Sequence, residues 1–294
     1  MFDSAPLHDV GALQQSEAFE RALISLGTPA HRLADGTLAL QRQLGPLPVH
    51  MITRAAPQSP QELIETAKSL QAKGPVILAP DTPMPLHKYG AVPLVSPSGI
   101  AQIDLNPDID TLHKGLHQKW RNRLKHARRQ SLRLTRQNMP DDPDHWLLQA
   151  DALQQTRRRY RSWPIDLTLA YGRENRGQSK LFTAFWGREP VAAILILRHG
   201  TSATYHIGHA RASGRIASAH TLLLWSAITW CKAKGVERLE LGVVDTEEGQ
   251  GLARFKLGTG AQVRPLGGTW IYWPPFSQLL RPVAHLDRRL MGSI

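Results

Sequence analysis

Two stretches of this sequence carry residues whose types and spacing could do chemistry. In 111–130, Lys114, Lys119, Arg121, Arg123, Lys125, Arg128 and Arg129 crowd around a narrow apolar stripe. The stripe is Leu112, Leu116, Trp120, Leu124 and Ala127, at the spacing of one long helix. Guanidinium groups hold phosphate oxygens through paired hydrogen bonds, and ammonium groups act as point charges. Lys119, Arg121 and Lys125 are therefore read as anion-binding candidates, with an ordinary solvated face as the alternative. The second stretch is 237–260. Asp245 follows an apolar strand, at the C-terminal end where α/β folds tend to place ligands. It can accept a proton there or simply cap a turn. Tyr205 and His206 adjoin one another on a predicted strand, so one faces the core and the other a cleft.

Other chemistries find no support. The thirteen histidines contain no His-Glu-x-x-His or Cys/His ligand spacing, and metal is not expected. No serine or cysteine stands in a nucleophile elbow. The single cysteine, Cys231, lies among Trp225, Ile228 and Trp230 in a helical pattern and reads as a buried thiol. One cysteine excludes an internal disulfide and fits a reducing compartment. The formal charge of +12 draws polyanions: nucleic acid, nucleotide-linked phosphates or an anionic membrane surface. No leader pattern opens the sequence. The apolar run 191–197 is far shorter than the roughly 20 residues a membrane helix needs. A cytoplasmic location is the expectation.

The elements that must position these residues read as mixed α and β. The 294 residues, 41% hydrophobic, suffice for two modest domains. A helix is predicted over 14–26, short strands over 37–42 and 47–54, and a helix from Ser59-Pro60-Gln61-Glu62 to about 73. Strands follow at 76–79, 90–95 and 100–105. Composition changes at 107–110, which places a boundary between domains 1–110 and 111–294. Beyond the cationic helix come a strand at 131–136, a helix at 145–160, and strands at 180–186, 191–197 and 202–210 joined by tight turns. A long apolar helix over 217–234, a strand at 237–241, a short helix from Arg254, and strands at 263–266 and 269–273 complete the second sheet.

Three pieces of the second half carry a family resemblance. His117-Gln118-Lys119-Trp120-Arg121-Asn122-Arg123-Leu124-Lys125-His126-Ala127 resembles a basic helix of the form K-x-R-x-x-[IL]-[KR]-x-A. Ser218-Ala219-His220-Thr221-Leu222-Leu223-Leu224-Trp225 opens the helix that follows the central hairpin. Gly251-Leu252-Ala253-Arg254-Phe255-Lys256-Leu257-Gly258-Thr259-Gly260 resembles a G-x-x-x-F-K-x-x-x-G segment. In this order they resemble the FemAB-type aminoacyl and peptidyl transferases, peptidoglycan-branching enzymes of the N-acetyltransferase superfamily. The resemblance implies an α/β (α+β) chain of tandem GNAT-like domains, the first degenerate, each with a mixed central sheet. It further implies transfer of an aminoacyl group to an amine of a cell-wall precursor or other anionic, nucleotide-linked acceptor, with aminoacyl-tRNA as a possible donor. Lys256 becomes the expected catalytic residue, because an ammonium fixed beside a tetrahedral oxyanion lowers the barrier electrostatically. Arg254 and Phe255 are drawn into the substrate site with it. The reaction implied is direct attack by a substrate amine, the enzyme supplying position and charge and no cofactor. Lys256→Ala is expected to abolish transfer and leave thermal stability almost unchanged. The helical hairpin inserted by some cell-wall members has no room here.

Two alternatives stay open. An acyl-CoA-dependent N-acetyltransferase would hold pyrophosphate at a helix N-terminus with the pattern [QR]-x-x-G-x-[GA]. Arg211-Ala212-Ser213-Gly214-Arg215-Ile216 matches at Arg211 and Gly214 and departs at Ile216. A nonenzymatic binder of nucleic acid or membrane surface would use the cationic helix or the segment 276–291, where leucines alternate with arginines; the bland reading of that segment is a core-closing helix.

Overall fold

A computed structural model of the chain describes residues 11–56, 58–70, 74–158, 162–244 and 249–274. In chain order its elements begin with α1 (Glu17–Ser25), β1 (Ala30–Arg32), β2 (Leu38–Leu44), β3 (Leu47–Ala55), α2 (Pro60–Ser69), β4 (Val76–Pro80) and β5 (Val92–Val95). Next come β6 (Gly99–Asp104), α3 (Ile109–Gly115), α4 (Gln118–Arg128), β7 (Leu132–Asn138), α5 (Trp146–Arg158) and α6 (Ile165–Glu174). The hairpin strands β8 (Ser179–Trp186), β9 (Glu189–His199) and β10 (Ser202–Ala210) lead to α7 (Ala212–Ile216) and α8 (Ala219–Ala233). The chain continues through β11 (Arg238–Val244), α9 (Gln250–Leu257), β12 (Gln262–Pro265) and β13 (Thr269–Tyr272).

By packing these residues form two units, one holding 11–13 and Ile100–Arg264, the other Gln14–Gly99 and 265–274. The chain thus changes unit at Gly99–Ile100 and again at Pro265, not once near 110. The composition change at 107–110 marks the onset of surface charge, which does not decide which core a strand joins.

The unit built on Gln14–Gly99 has a mixed six-stranded sheet in the order β1-β2-β3-β4-β13-β5. Ser16 caps α1 by accepting from the Phe19 N–H. Ser59 and Glu62 form a reciprocal capping box with Pro60 in the first turn of α2, which fixes where that helix starts. α2 buries Leu63, Ile64 and Ala67 with Ile52 of β3 and with Val76 and Leu78 of β4. β3 and β4 run parallel from His50↔Val76 to Ala55↔Pro80, and the buried Arg54–Asp81 ion pair closes that end. The expected placement of 269–273 in the second sheet is corrected: β13 pairs antiparallel with β4 and β5. Its Trp270 and Tyr272 complete this core.

The unit built on Ile100–Arg264 has a mixed seven-stranded sheet in the order β12-β6-β11-β10-β9-β8-β7. β7 to β10 form an antiparallel meander. β9 is buried along Val191–Leu197, and α8 buries Leu223, Leu224, Ala227, Ile228 and Cys231 in the same core. The single helix expected over 111–130 is in fact two. Leu116 is extended (ψ 137°), and His117 begins α4 as its N-cap, its ring accepting from the Lys119 N–H. The apolar stripe survives the break, with Leu116, Trp120, Leu124 and Ala127 all buried. α6 is an element the sequence pattern did not mark.

Candidate active site

The site begins where two parallel strands part. β10 and β11 pair from Ser202↔Arg238 to Thr204↔Glu240, then run on to Ala210 and Val244. Beyond the pairing, Tyr205, Leu224, Leu241, Leu252, Phe255 and Lys256 line a small, closely packed pocket with no room for a water molecule. α9 carries Phe255 and Lys256 to this point.

Lys256 is buried, only 7% exposed, and its Nζ donates to the Val243 carbonyl of β11 at 2.7 Å. That bond satisfies a carbonyl next to the parting of the two strands. Burial pushes the Lys256 ammonium down from its ordinary value to about 8. It remains mostly charged at neutral pH, in surroundings of low dielectric where a charge acts strongly. The expectation that Lys256→Ala leaves stability untouched is corrected by this burial, since truncation leaves a void and an unbonded carbonyl.

Tyr205 reaches the same pocket from β10. A bulge in the β9–β10 ladder pairs Tyr205 with Ile196 and Ile207 with Leu195, leaving His206 as the extra residue. The two neighbours therefore meet different partners. Tyr205 Oη lies 2.7 Å from His220 Nε2 in the first turn of α8. His206 hydrogen-bonds to Thr168 of α6 at 3.0 Å and packs on Trp163, with ring centroids 4.7 Å apart. His206 does not line the Tyr205–Lys256 pocket. Gly208 makes room for the Tyr205–His220 pair, because a Cβ there would sit 1.6 Å from Tyr205 Oη and 2.9 Å from His220 Cε1. The Phe255 ring stands edge-on to His220 at 5.0 Å and leans on Trp120 of α4 at 6.3 Å. Burial lowers both His206 and His220 to about 4, so both imidazoles are neutral at pH 7. His220 is the site residue that sequence reasoning missed. Its signal was an imidazole in the first turn of a mostly apolar helix.

The remaining expected residues lie elsewhere. Lys119 and Lys125 are exposed on α4. Arg121 donates to the Lys114 and Leu116 carbonyls at 2.8 Å each, fastening the end of α3. The expected cationic wall is therefore absent from the pocket lining: α4 touches the site only through Trp120. Arg254 is exposed and reaches Gln250 on its own helix. Arg211 pairs with Glu189 at 2.6 Å and lies 5.3 Å from the Trp146 ring. Gly214 packs against β9 so closely that a Cβ would fall 2.2 Å from the Val191 carbonyl. Asp245 and the segment 276–291 lie outside the described residues. Among the described residues no cluster of His, Cys, Asp and Glu could hold a metal, and no helix is long and apolar enough to cross a membrane. An open cavity of about 780 Å³ in the other unit is lined by Asp35, Thr37, Ser59, Glu62, Glu65 and Thr66. Its acids already serve the capping box, the Thr37 and Thr66 hydrogen bonds and a Lys68 pair.

A meander, a crossing helix, a parallel strand that parts from its neighbour and a buried lysine define an acyltransferase of the N-acetyltransferase fold. The family model described as the acetyltransferase (GNAT) domain matches residues 115–261, half of the chain, and the chain belongs to that family. Among solved structures, FemX shares the fold with a TM-score of 0.74 at 13% identity, over 94% of this chain and 96% of that one. The C-terminal domain of a putative lysylphosphatidylglycerol synthetase from Agrobacterium fabrum has a TM-score of 0.57 at 13% identity, covering 94% of this chain and 93% of its own. L-PGS from Bacillus licheniformis has a TM-score of 0.53 at 14% identity, covering 97% and 99%. A comparison with curated proteins gives no match.

Proposed function

We propose that this acyltransferase moves an aminoacyl group onto an amine of a cell-wall precursor or another anionic acceptor, in the cytoplasm and without a bound cofactor. The observation that carries the reading is the wedge between β10 and β11, where the side chains of Tyr205 and Lys256 line one small apolar pocket, the phenol bonded to His220 and the ammonium to the Val243 carbonyl. A carbonyl held in that wedge would become an oxyanion on attack, and Lys256 is the charge positioned to stabilise it. The FemAB-type motifs around Lys119 and Phe255-Lys256, and a fold shared with FemX over nearly the whole chain, support an aminoacyl donor such as aminoacyl-tRNA. The exposed cations of α4 supply a positive approach surface for the anionic partner. The test is transfer from total aminoacyl-tRNA to an amine-bearing, nucleotide-linked cell-wall precursor, followed by mass spectrometry. Product formed by the natural chain and lost in Lys256→Met supports the reading, and equal product from both removes Lys256 from the chemistry.

A second reading keeps acyl-CoA as the donor. It is favoured by the position of Arg211 and Gly214, the N-cap and a buried residue of α7, between β10 and α8. Micromolar binding of acetyl-CoA by calorimetry, lost when Arg211 is replaced, would put this reading first.

A further inference from the structure

Four cations converge on one corner of the seven-stranded sheet, and the strand register puts them there. Asn138 of β7 faces Lys180 of β8, and Arg136 faces Phe182, so these side chains share one side of the sheet. Phe182 meets Trp230 edge-on at 5.8 Å, which makes this the side that α8 covers. Lys180 in turn pairs with Ile196 of β9, and Arg198 follows two residues later on the same side. Lys234 is the C-cap of α8, one turn beyond Trp230. The Arg136 guanidinium lies 5.8 Å from the Trp230 ring, Lys180 Nζ donates to Asn138, and Arg198 Nε donates to Gln178. Among the described residues, no carboxylate pairs with any of the four. Burial, and then the charges of Arg136, Lys234 and Arg198, hold the Lys180 ammonium below its ordinary value, so the cations are close enough to repel. A lysine at a helix C-terminus complements the helix dipole, which accounts for Lys234. It does not account for three further cations brought beside it from three strands.

The corner is separate from the fork. α8 starts beside Tyr205 and ends here, about 22 Å away over its 15 residues. Its chemistry selects the partner. Two guanidiniums and two ammoniums supplied by four elements are more than one small anion engages. Their neighbours are the amides of Asn138 and Gln178 and the Trp230 ring, buried beneath Arg136. Charge and hydrogen-bond donors in this setting match a phosphate backbone, whereas a bilayer surface calls for apolar side chains that project beyond the cations. We infer that Arg136, Lys180, Arg198 and Lys234 form a docking surface for the phosphate backbone of a folded RNA. The inference deepens the transferase reading and rests on it for which RNA this is: the body of an aminoacyl-tRNA whose acylated end enters the fork.

Binding tests the surface without turnover. Labelled, deacylated total tRNA is titrated with the full chain by fluorescence anisotropy, between about 50 and 200 mM salt. The neutral variant Arg136→Gln/Lys180→Gln/Lys234→Gln is expected to bind on the order of tenfold or more weakly. Its log–log salt dependence should flatten by about two. The charge-keeping variant Arg136→Lys/Lys180→Arg/Lys234→Arg should bind like the natural chain. Arg42→Gln/Lys68→Gln/Lys88→Gln removes the same net charge from the other unit and should change affinity less than about twofold. Unchanged RNA affinity in the neutral variant overturns the inference, as does an equal loss in either of the other two, or a natural chain that binds no RNA. The same titration with phosphatidylcholine–phosphatidylglycerol vesicles covers the other polyanion: vesicle binding lost in the neutral variant while RNA binding stands makes this a membrane surface and overturns the inference. Transfer separates the inference from the reading beneath it. With aminoacyl-tRNA as donor, the neutral variant should raise KM and leave kcat unchanged. A natural chain that binds RNA through these residues yet transfers nothing supports the surface and removes the transferase reading.

Discussion

Each unit contains a parallel strand pair joined by a crossing helix, and the two pairs end in opposite ways. β3 and β4 stay paired to Ala55↔Pro80, across one irregularity at Arg54, and the Arg54–Asp81 pair seals the end. β10 and β11 hold together only from Ser202 to Thr204 on one side and Arg238 to Glu240 on the other, then part around Tyr205 and Lys256. A charge paired at a closed end contributes to holding strands together. The Lys256 charge is buried beside the fork, where among the described residues its hydrogen bond goes to the neutral Val243 carbonyl, and burial disfavours it. One architecture therefore yields a sealed strand pair and a forked one, and the difference lies in which residues fill the fork.

Among substitutions, the largest expected effect on stability comes from breaking the sealed end. Asp81→Ala removes the carboxylate paired with the half-buried Arg54 and should cost about 3 kcal/mol by urea unfolding. Its site lies in the other unit's sheet, so kcat per folded molecule should hold. Gly208→Ala should cost about 1–3 kcal/mol through overpacking against Tyr205 and His220. It should also cost roughly 10²-fold in transfer, because the phenol is displaced. Lys256→Ala should cost about 1–3 kcal/mol for the unsatisfied Val243 carbonyl and the void. Lys256→Met fills the void and should be nearly neutral in melting temperature, while transfer still falls. Acid should open the fork further. His206 and His220 are lowered in the folded state from 6.5 to about 4, so their contribution is complete above pH 6.5. It is lost as pH falls from 6.5 toward 4, on the order of 3 kcal/mol for each histidine, measurable as a falling melting temperature. The smallest effect is at Lys125, whose replacement by Ala should change stability by less than about 0.5 kcal/mol. It should nonetheless reduce the salt dependence of binding to an anionic partner.

Much of this was legible where residues act locally. Ser59, Pro60 and Glu62 announce the start of α2, and alternation with tight turns announces the meander from β8 to β10. What stayed hidden depends on distant partners. α6 buries five consecutive residues, Leu167 to Tyr171, so it shows no one-sided stripe. The break at Leu116–His117 is held by the Gly258 carbonyl accepting the His117 N–H at 2.9 Å, a contact between residues far apart in sequence. Phe255 and Lys256 were found through their motif, but nothing in 250–260 says that the lysine is buried or that its partner is a strand carbonyl. His220 becomes visible as a site residue only when β10 brings Tyr205 beside it.

The crossing of β13 into the first sheet has a consequence for biogenesis. On the ribosome, the strand that fits between β4 and β5 emerges only after the entire catalytic unit has been made. Until then, the facing edges of β4 and β5 await their shared neighbour. The first sheet to begin is thus the last to be finished, and a chain interrupted after Arg264 would lack the strand that joins β4 to β5.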